Sequence, residues 1–155
     1  MKIQVGTWAR NGARRFTGEV PESVLELDRE AYIRPNGPVT YDVRANLADG
    51  ELLVRGRLSA EFTLACARCG RNFTCRVNVR DFIRSVPVAN EHEVIDLTGD
   101  AREDILLALP FNALCSPDCK GLCARCGADL NRKACGCAAK KAETRVSAFD
   151  QVRIR

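Results

Sequence analysis

The 155-residue chain has little of what catalysts and membrane proteins are built from. It contains one histidine, His92, set between Glu91 and Glu93 in a polar stretch, where neither metal binding nor acid–base chemistry is expected of it. No pair of carboxylates, Ser–His–Asp set or glycine-rich phosphate loop stands out, so the chain reads as a non-enzyme. No apolar run nears the ~18 residues needed to cross a bilayer, which argues against a membrane protein. The opening MKIQVGTWARNG carries no apolar signal segment, so a cytoplasmic location is expected and structural disulfides are not. The length suits one domain with a real core.

Cysteine is what the chain has in excess, with nine residues. Six lie between Leu114 and Cys137: Cys115, Cys119, Cys123, Cys126, Cys135 and Cys137. Within that run, Cys123-Ala124-Arg125-Cys126-Gly127 is a metal knuckle. Two thiolates three positions apart, followed by glycine, let the backbone curl until both sulfurs face one ion. The pattern recurs upstream as Cys66-Ala67-Arg68-Cys69-Gly70. Two such knuckles point to structural zinc held by thiolates, with a closed shell that leaves no position for a reacting water. An iron–sulfur cluster is the alternative on the same ligands. A redox C-x-x-C pair would open a helix, whereas polar residues and glycine follow both knuckles.

Three strands are legible ahead of the cysteine-rich run. Val39, Tyr41, Val43, Ala45 and Leu47 alternate with polar residues, Ala48-Asp49-Gly50 makes a hairpin turn, and Leu52, Val54, Leu58, Ala60, Phe62 and Leu64 form the apolar face of the next strand. The first knuckle is the following hairpin loop. A third strand leaves it, with Phe73, Cys75, Val77, Val79 and Ile83 expected on the core side. Cys75 is in phase with that set and is read as core, which leaves eight cysteines for two four-thiolate sites. The fold class is α+β, mainly β: an antiparallel meander with one or two short helices and a cysteine-rich C-terminal segment. Around Val24–Leu27 helix and strand remain open. A helix near residues 100–109, capped by Thr98 or Asp100, should bury Ile105, Leu106 and Leu109 and stop at Pro110. The organisation expected is a β-rich core over 1–113, a zinc segment over 114–137 and a basic segment over 138–155 docking on the core through Val146, Phe149, Val152 and Ile154.

The net charge of +4 is modest, but it is unevenly spread. Arginines crowd the polar face of the meander and the first knuckle, and Arg55, Arg57, Arg68, Arg71, Arg76 and Arg80 are candidate contacts to RNA phosphates. A solvated sheet face is the plain alternative.

The run from Ile95-Asp96-Leu97 through Leu106-Leu107-Ala108-Leu109-Pro110, then Leu114-Cys115, Asp118-Cys119-Lys120-Gly121-Leu122-Cys123, Cys126-Gly127, Asp129-Leu130-Asn131 and Cys135-x-Cys137, closely resembles the bacterial YceD family, named for large ribosomal RNA subunit accumulation. The strand carrying Gly56 and leading to Cys66-x-Arg68-Cys69 matches a second signature of that family. Glu143-Thr144-Arg145 departs from its Asp-Pro-Arg. The resemblance implies a ribosome-biogenesis factor in the bacterial cytoplasm or a plastid. Its expected partners are large-subunit ribosomal RNA or an assembling large subunit. A zinc-dependent adaptor that binds ribosomal proteins is the alternative.

Overall fold

A computed structural model describes residues 1–90 and 92–137, with the backbone alone at 10 and 11. The expected docking of Val146, Phe149, Val152 and Ile154 lies outside the described residues. The chain forms two compact units, Met1–Cys119 and a second that begins at Lys120. The boundary falls inside the cysteine-rich run rather than ahead of it, because Cys115 and Cys119 join the first knuckle, as described below.

The strands are β1 (Lys2–Gln4), β2 (Arg14–Val20), β3 (Ile33–Pro35), β4 (Val39–Ala48), β5 (Glu51–Ala65), β6 (Asn72–Pro87) and β7 (Val94–Asp96), followed by helix α1 (Thr98–Leu107). Short 3-10 turns occupy Thr7–Asn11 and Glu22–Leu25; the second resolves the ambiguous Val24–Leu27 stretch as a single turn that buries Leu25. β5 is the spine of the main sheet. One edge pairs first with β4 and then with β3, the other pairs along its length with β6, and β2 adds to β4; every pairing is antiparallel. β1 and β7 make a separate two-stranded sheet.

The meander follows from alternation and turn chemistry. Asp49 and Gly50 both have positive φ (51° and 80°), the geometry of a two-residue hairpin turn whose twist matches its strands. Val43, Ala45, Leu52, Val54, Leu58, Ala60, Phe62 and Leu64 are all buried on one face, where α1 packs through Ala101 and Ile105.

The expected phase breaks in β6. The register shifts between Gly56 and Leu58, so that Arg80 and Asp81 both stand opposite Arg57. Beyond this bulge the faces exchange. Phe82 is fully buried opposite Gly56, and Ile83, expected in the core, is 49% exposed. Arg84 consequently turns to the core side, where its guanidinium clamps α1 through Asp100 and Asp104, each at 2.6 Å. Gly56 itself tolerates no side chain, since a Cβ there would lie 2.2 Å from the Asp42 carbonyl oxygen.

Helix α1 also starts and ends otherwise than expected. Neither Thr98 nor Asp100 caps it. The Asp96 carboxylate accepts from the Thr98 amide at 2.9 Å, and Asp100 is taken by Arg84. The helix ends at Leu107, leaving Leu109 in the following turn and still packed against the core.

Candidate metal centres

The eight cysteines of the sequence reading separate into two groups of four, Cys66–Cys69–Cys115–Cys119 and Cys123–Cys126–Cys135–Cys137. In each, all four sulfurs lie within 4.8 Å of one another. Each knuckle thus draws its second pair of thiols from a different place: the first reaches the segment after α1, the second reaches a Cys-x-Cys nine residues on.

The two knuckles fold by the same bonds. In the first, the Gly70 amide donates to the Cys66 carbonyl at 2.9 Å and the Cys66 amide to the Arg71 carbonyl at 2.9 Å. In the second, Gly127 donates to Cys123 at 2.9 Å and Cys123 to Ala128 at 2.8 Å. Gly70 and Gly127 both sit in the left-handed region (φ 69° and 70°), which is why glycine closes each motif. The curl leaves amides aimed at sulfur. The Cys115 amide, followed by those of Cys69 and Arg68, holds the Cys66 thiol down at about 6. The amides of Arg125 and Cys126 and the neighbouring Cys135 and Cys126 thiols do the same for Cys123, also at about 6. At Cys69 the Arg71 amide pulls down, but burial and the thiols of Cys66, Cys119 and Cys115 push the group up to about 12. At Cys137 the Cys126 thiol and burial push it up to about 12. Four thiols this close cannot all ionise without a cation among them.

The donor set fits a single ion. Cys66 Sγ lies 3.8 Å from Cys119 Sγ, and Cys69 Sγ lies 3.8 Å from Cys115 Sγ. A disulfide would bring sulfurs to ~2.05 Å, whereas four thiolates ~2.3 Å from one tetrahedral ion stand about 3.8 Å apart. None of the nine cysteines forms a disulfide. The two centres differ in shielding. Cys66, Cys69 and Cys119 are buried, whereas Cys126 is exposed and its three companions are half-buried.

Two arginines read as RNA contacts are placed against the first centre. Arg68 Nη1 donates to the Cys119 carbonyl at 2.9 Å and Arg71 Nη2 to the Cys115 sulfur at 3.4 Å. A positive partner on a thiolate ligand offsets the excess negative charge of a four-thiolate shell. The sequence signal available was position: both residues sit inside or beside the knuckle. Arg76 pairs with Glu61 at 3.6 Å. Arg55, Arg57 and Arg80 are exposed on the outer face of the sheet, with Arg44 beside them. His92 is exposed and belongs to neither cysteine group.

Cys75 stands opposite Phe62, partly buried against the core and in neither group. Cys75→Ala should leave metal content unchanged and cost about 1 kcal/mol of packing, read from zinc analysis and a urea transition. Loss of a metal equivalent in that variant would make Cys75 a ligand.

A family model described as "Large ribosomal RNA subunit accumulation protein YceD" matches residues 81–152. The match takes in all six cysteines after Leu114 but stops short of Gly56, Cys66 and Cys69, which the sequence resemblance had included. An uncharacterized protein of Mycobacterium leprae is 31% identical over 107 residues, covering 60% of this chain and 49% of that protein. An uncharacterized protein of Mycobacterium tuberculosis is 33% identical over 103 residues, covering 57% and 50%. The chain therefore spans about half the length of these curated relatives. The large ribosomal RNA subunit accumulation protein YCED homolog 1, chloroplastic, of Zea mays is 46% identical over 44 residues, 28% of this chain and 15% of that protein. No solved structure matches. The chain is thus homologous to the YceD family over part of its length.

Proposed function

We propose that this chain is a non-enzymatic, zinc-stabilised factor that supports accumulation of large-subunit ribosomal RNA in the bacterial cytoplasm, by contacting that RNA or the assembling large subunit. The observation that carries the reading is the family match over residues 81–152, which spans the cysteine tail. Zinc is the ion that best suits two all-thiolate, tetrahedrally spaced sets. Four protein ligands would leave it no open position, so its role is to hold the fold rather than to react. The ligands are Cys66, Cys69, Cys115 and Cys119 in one site and Cys123, Cys126, Cys135 and Cys137 in the other.

A second reading is a zinc-dependent adaptor for ribosomal proteins. It is favoured by Leu107, the last residue of α1, and Phe111 just beyond it, 76% and 100% exposed, since apolar side chains so exposed suit a protein partner. One experiment separates the two. Purified protein is bound to large-subunit ribosomal RNA and to large-subunit particles, with and without nuclease. Salt-sensitive binding to naked RNA that nuclease abolishes is the expected result; retention that survives nuclease would favour the adaptor.

A further inference from the structure

We propose that the outer face of the sheet at the β6 bulge holds a built anion site, formed by Arg44, Arg55, Arg57 and Arg80, that takes consecutive phosphates of an RNA strand. The proposal rests on the RNA reading above and assigns it a place on the molecule.

Three observations carry it. The first is like-charge opposition across the strands. Arg15 stands opposite Arg44 and Arg44 opposite Arg55, so three arginines line up across β2, β4 and β5. Directly opposed residues have Cβ atoms ~4.5–5.5 Å apart, and like charges at that separation destabilise a sheet. Such a row is tolerable where an anion bridges it.

The second is which arginines are already engaged. Arg15 gives both its Nε and Nη2 to Asp42, each at 2.7 Å, so both oxygens of the carboxylate that stands opposite Arg57 are taken. Arg76, Arg84 and Arg102 form ion pairs with Glu61, with Asp100 and Asp104, and with Glu26. Arg68 and Arg71 face the first cysteine centre. No ion pair among the described residues joins Arg44, Arg55, Arg57 or Arg80.

The third is shape. These four residues line one depression of about 470 Å³, floored in part by Gly56 and Phe82. The bulge places Arg80 opposite Arg57, with Asp81 the one acid lining the depression. Strands ~4.8 Å apart and alternate residues ~6.5–7 Å apart put the guanidinium groups on the scale of neighbouring phosphates, which a planar two-pronged donor grips in pairs. The set differs from the sequence reading: Arg44 enters, and Arg68, Arg71 and Arg76 leave because each has a partner in the fold.

The test compares wild type with R44Q/R55Q/R57Q/R80Q for binding to large-subunit ribosomal RNA between 50 and 200 mM salt. Four contacts to single-stranded phosphates at ~0.7 each should flatten the log–log slope by about 3 and weaken binding at least tenfold. Zinc content should hold and the urea midpoint should not fall, since all four side chains are exposed and their loss relieves like-charge repulsion. If wild type binds RNA and the variant has the same slope, the site is overturned and the RNA reading stands. If wild type ignores naked RNA but stays on nuclease-treated particles, the RNA reading fails and the site fails with it. Should the quadruple variant not fold, R44Q alone decides. It should lose about 0.7 of slope and the rise in Tm that tripolyphosphate gives wild type; an unchanged slope and Tm response would overturn the site.

Discussion

Purified protein should carry two zinc ions per chain, and Cys119→Ser should carry one. The two sets of sulfurs form separate shells, so removing one ligand empties one shell and leaves the other whole. Cys119 is the sharper choice, being only 3% exposed and adjoining the bonds that tie residues 113–119 to the hairpin tip. The Ala67 amide donates to the Ala113 carbonyl at 2.8 Å, and Arg68 holds the Cys119 carbonyl. Structural zinc in small peptides is worth ~10–16 kcal/mol of apparent binding free energy, most of it folding energy where no other core exists. Here β5 and β6 have their own core, so Cys119→Ser should strip hydrogen-exchange protection from residues 66–71 and 113–119 and spare the amides around Val54 and Leu58. Cys126→Ser should remove the other equivalent and the protection of residues 121–131. In metal-free protein Cys66 and Cys123, held near 6, are thiolates at neutral pH. Their contribution is present above the ordinary thiol pKa and is lost as pH falls through about 6, so acid should favour metal release. One zinc per chain in wild type, or none in Cys119→Ser, would mean the eight thiolates do not form two independent shells.

The cysteine chemistry was legible where it is local. A glycine after each C-x-x-C is demanded by a left-handed residue, and the phase of Cys75 with Phe73 and Val77 set it apart from the ligands. The division of the thiols was not legible, because it depends on tertiary packing. Cys66 and Cys69 meet partners 53 and 46 residues away, and only the path through β6, β7 and α1 brings those back to the hairpin tip. The same limit governs the arginines. Spacing along a strand put Arg76 on the polar face correctly, but the carboxylate opposite it, Glu61, is fixed by register. The helix cap failed because the helix starts earlier than its candidate caps. Thr98 is already its first residue, so Asp100 lies inside the first turn, where Arg84 takes its carboxylate.

The β6 bulge leads to the last expected result, a reversal of the effect that unbroken alternation would give. Phe82→Ala should destabilise the protein by about 3–5 kcal/mol, the range for deleting a buried aromatic ring. Ile83→Ala should cost less than about 1 kcal/mol, because nearly half of that side chain is already in water. The Phe82 ring fills space that Gly56 cannot, since the backbone of β4 leaves no room for a Cβ there. It also carries Arg84, whose guanidinium carbon lies 5.0 Å from the ring centroid. Losing the ring therefore loosens the residue that clamps α1 through two carboxylates, which adds to the cavity cost. Urea unfolding of both variants measures the difference directly. A larger cost for Ile83→Ala would mean that β6 runs without a bulge, with Ile83 inward beside Val79. Arg80 and Asp81 would then no longer stand together opposite Arg57, and the depression that gathers Arg44, Arg55, Arg57 and Arg80 would lose its shape.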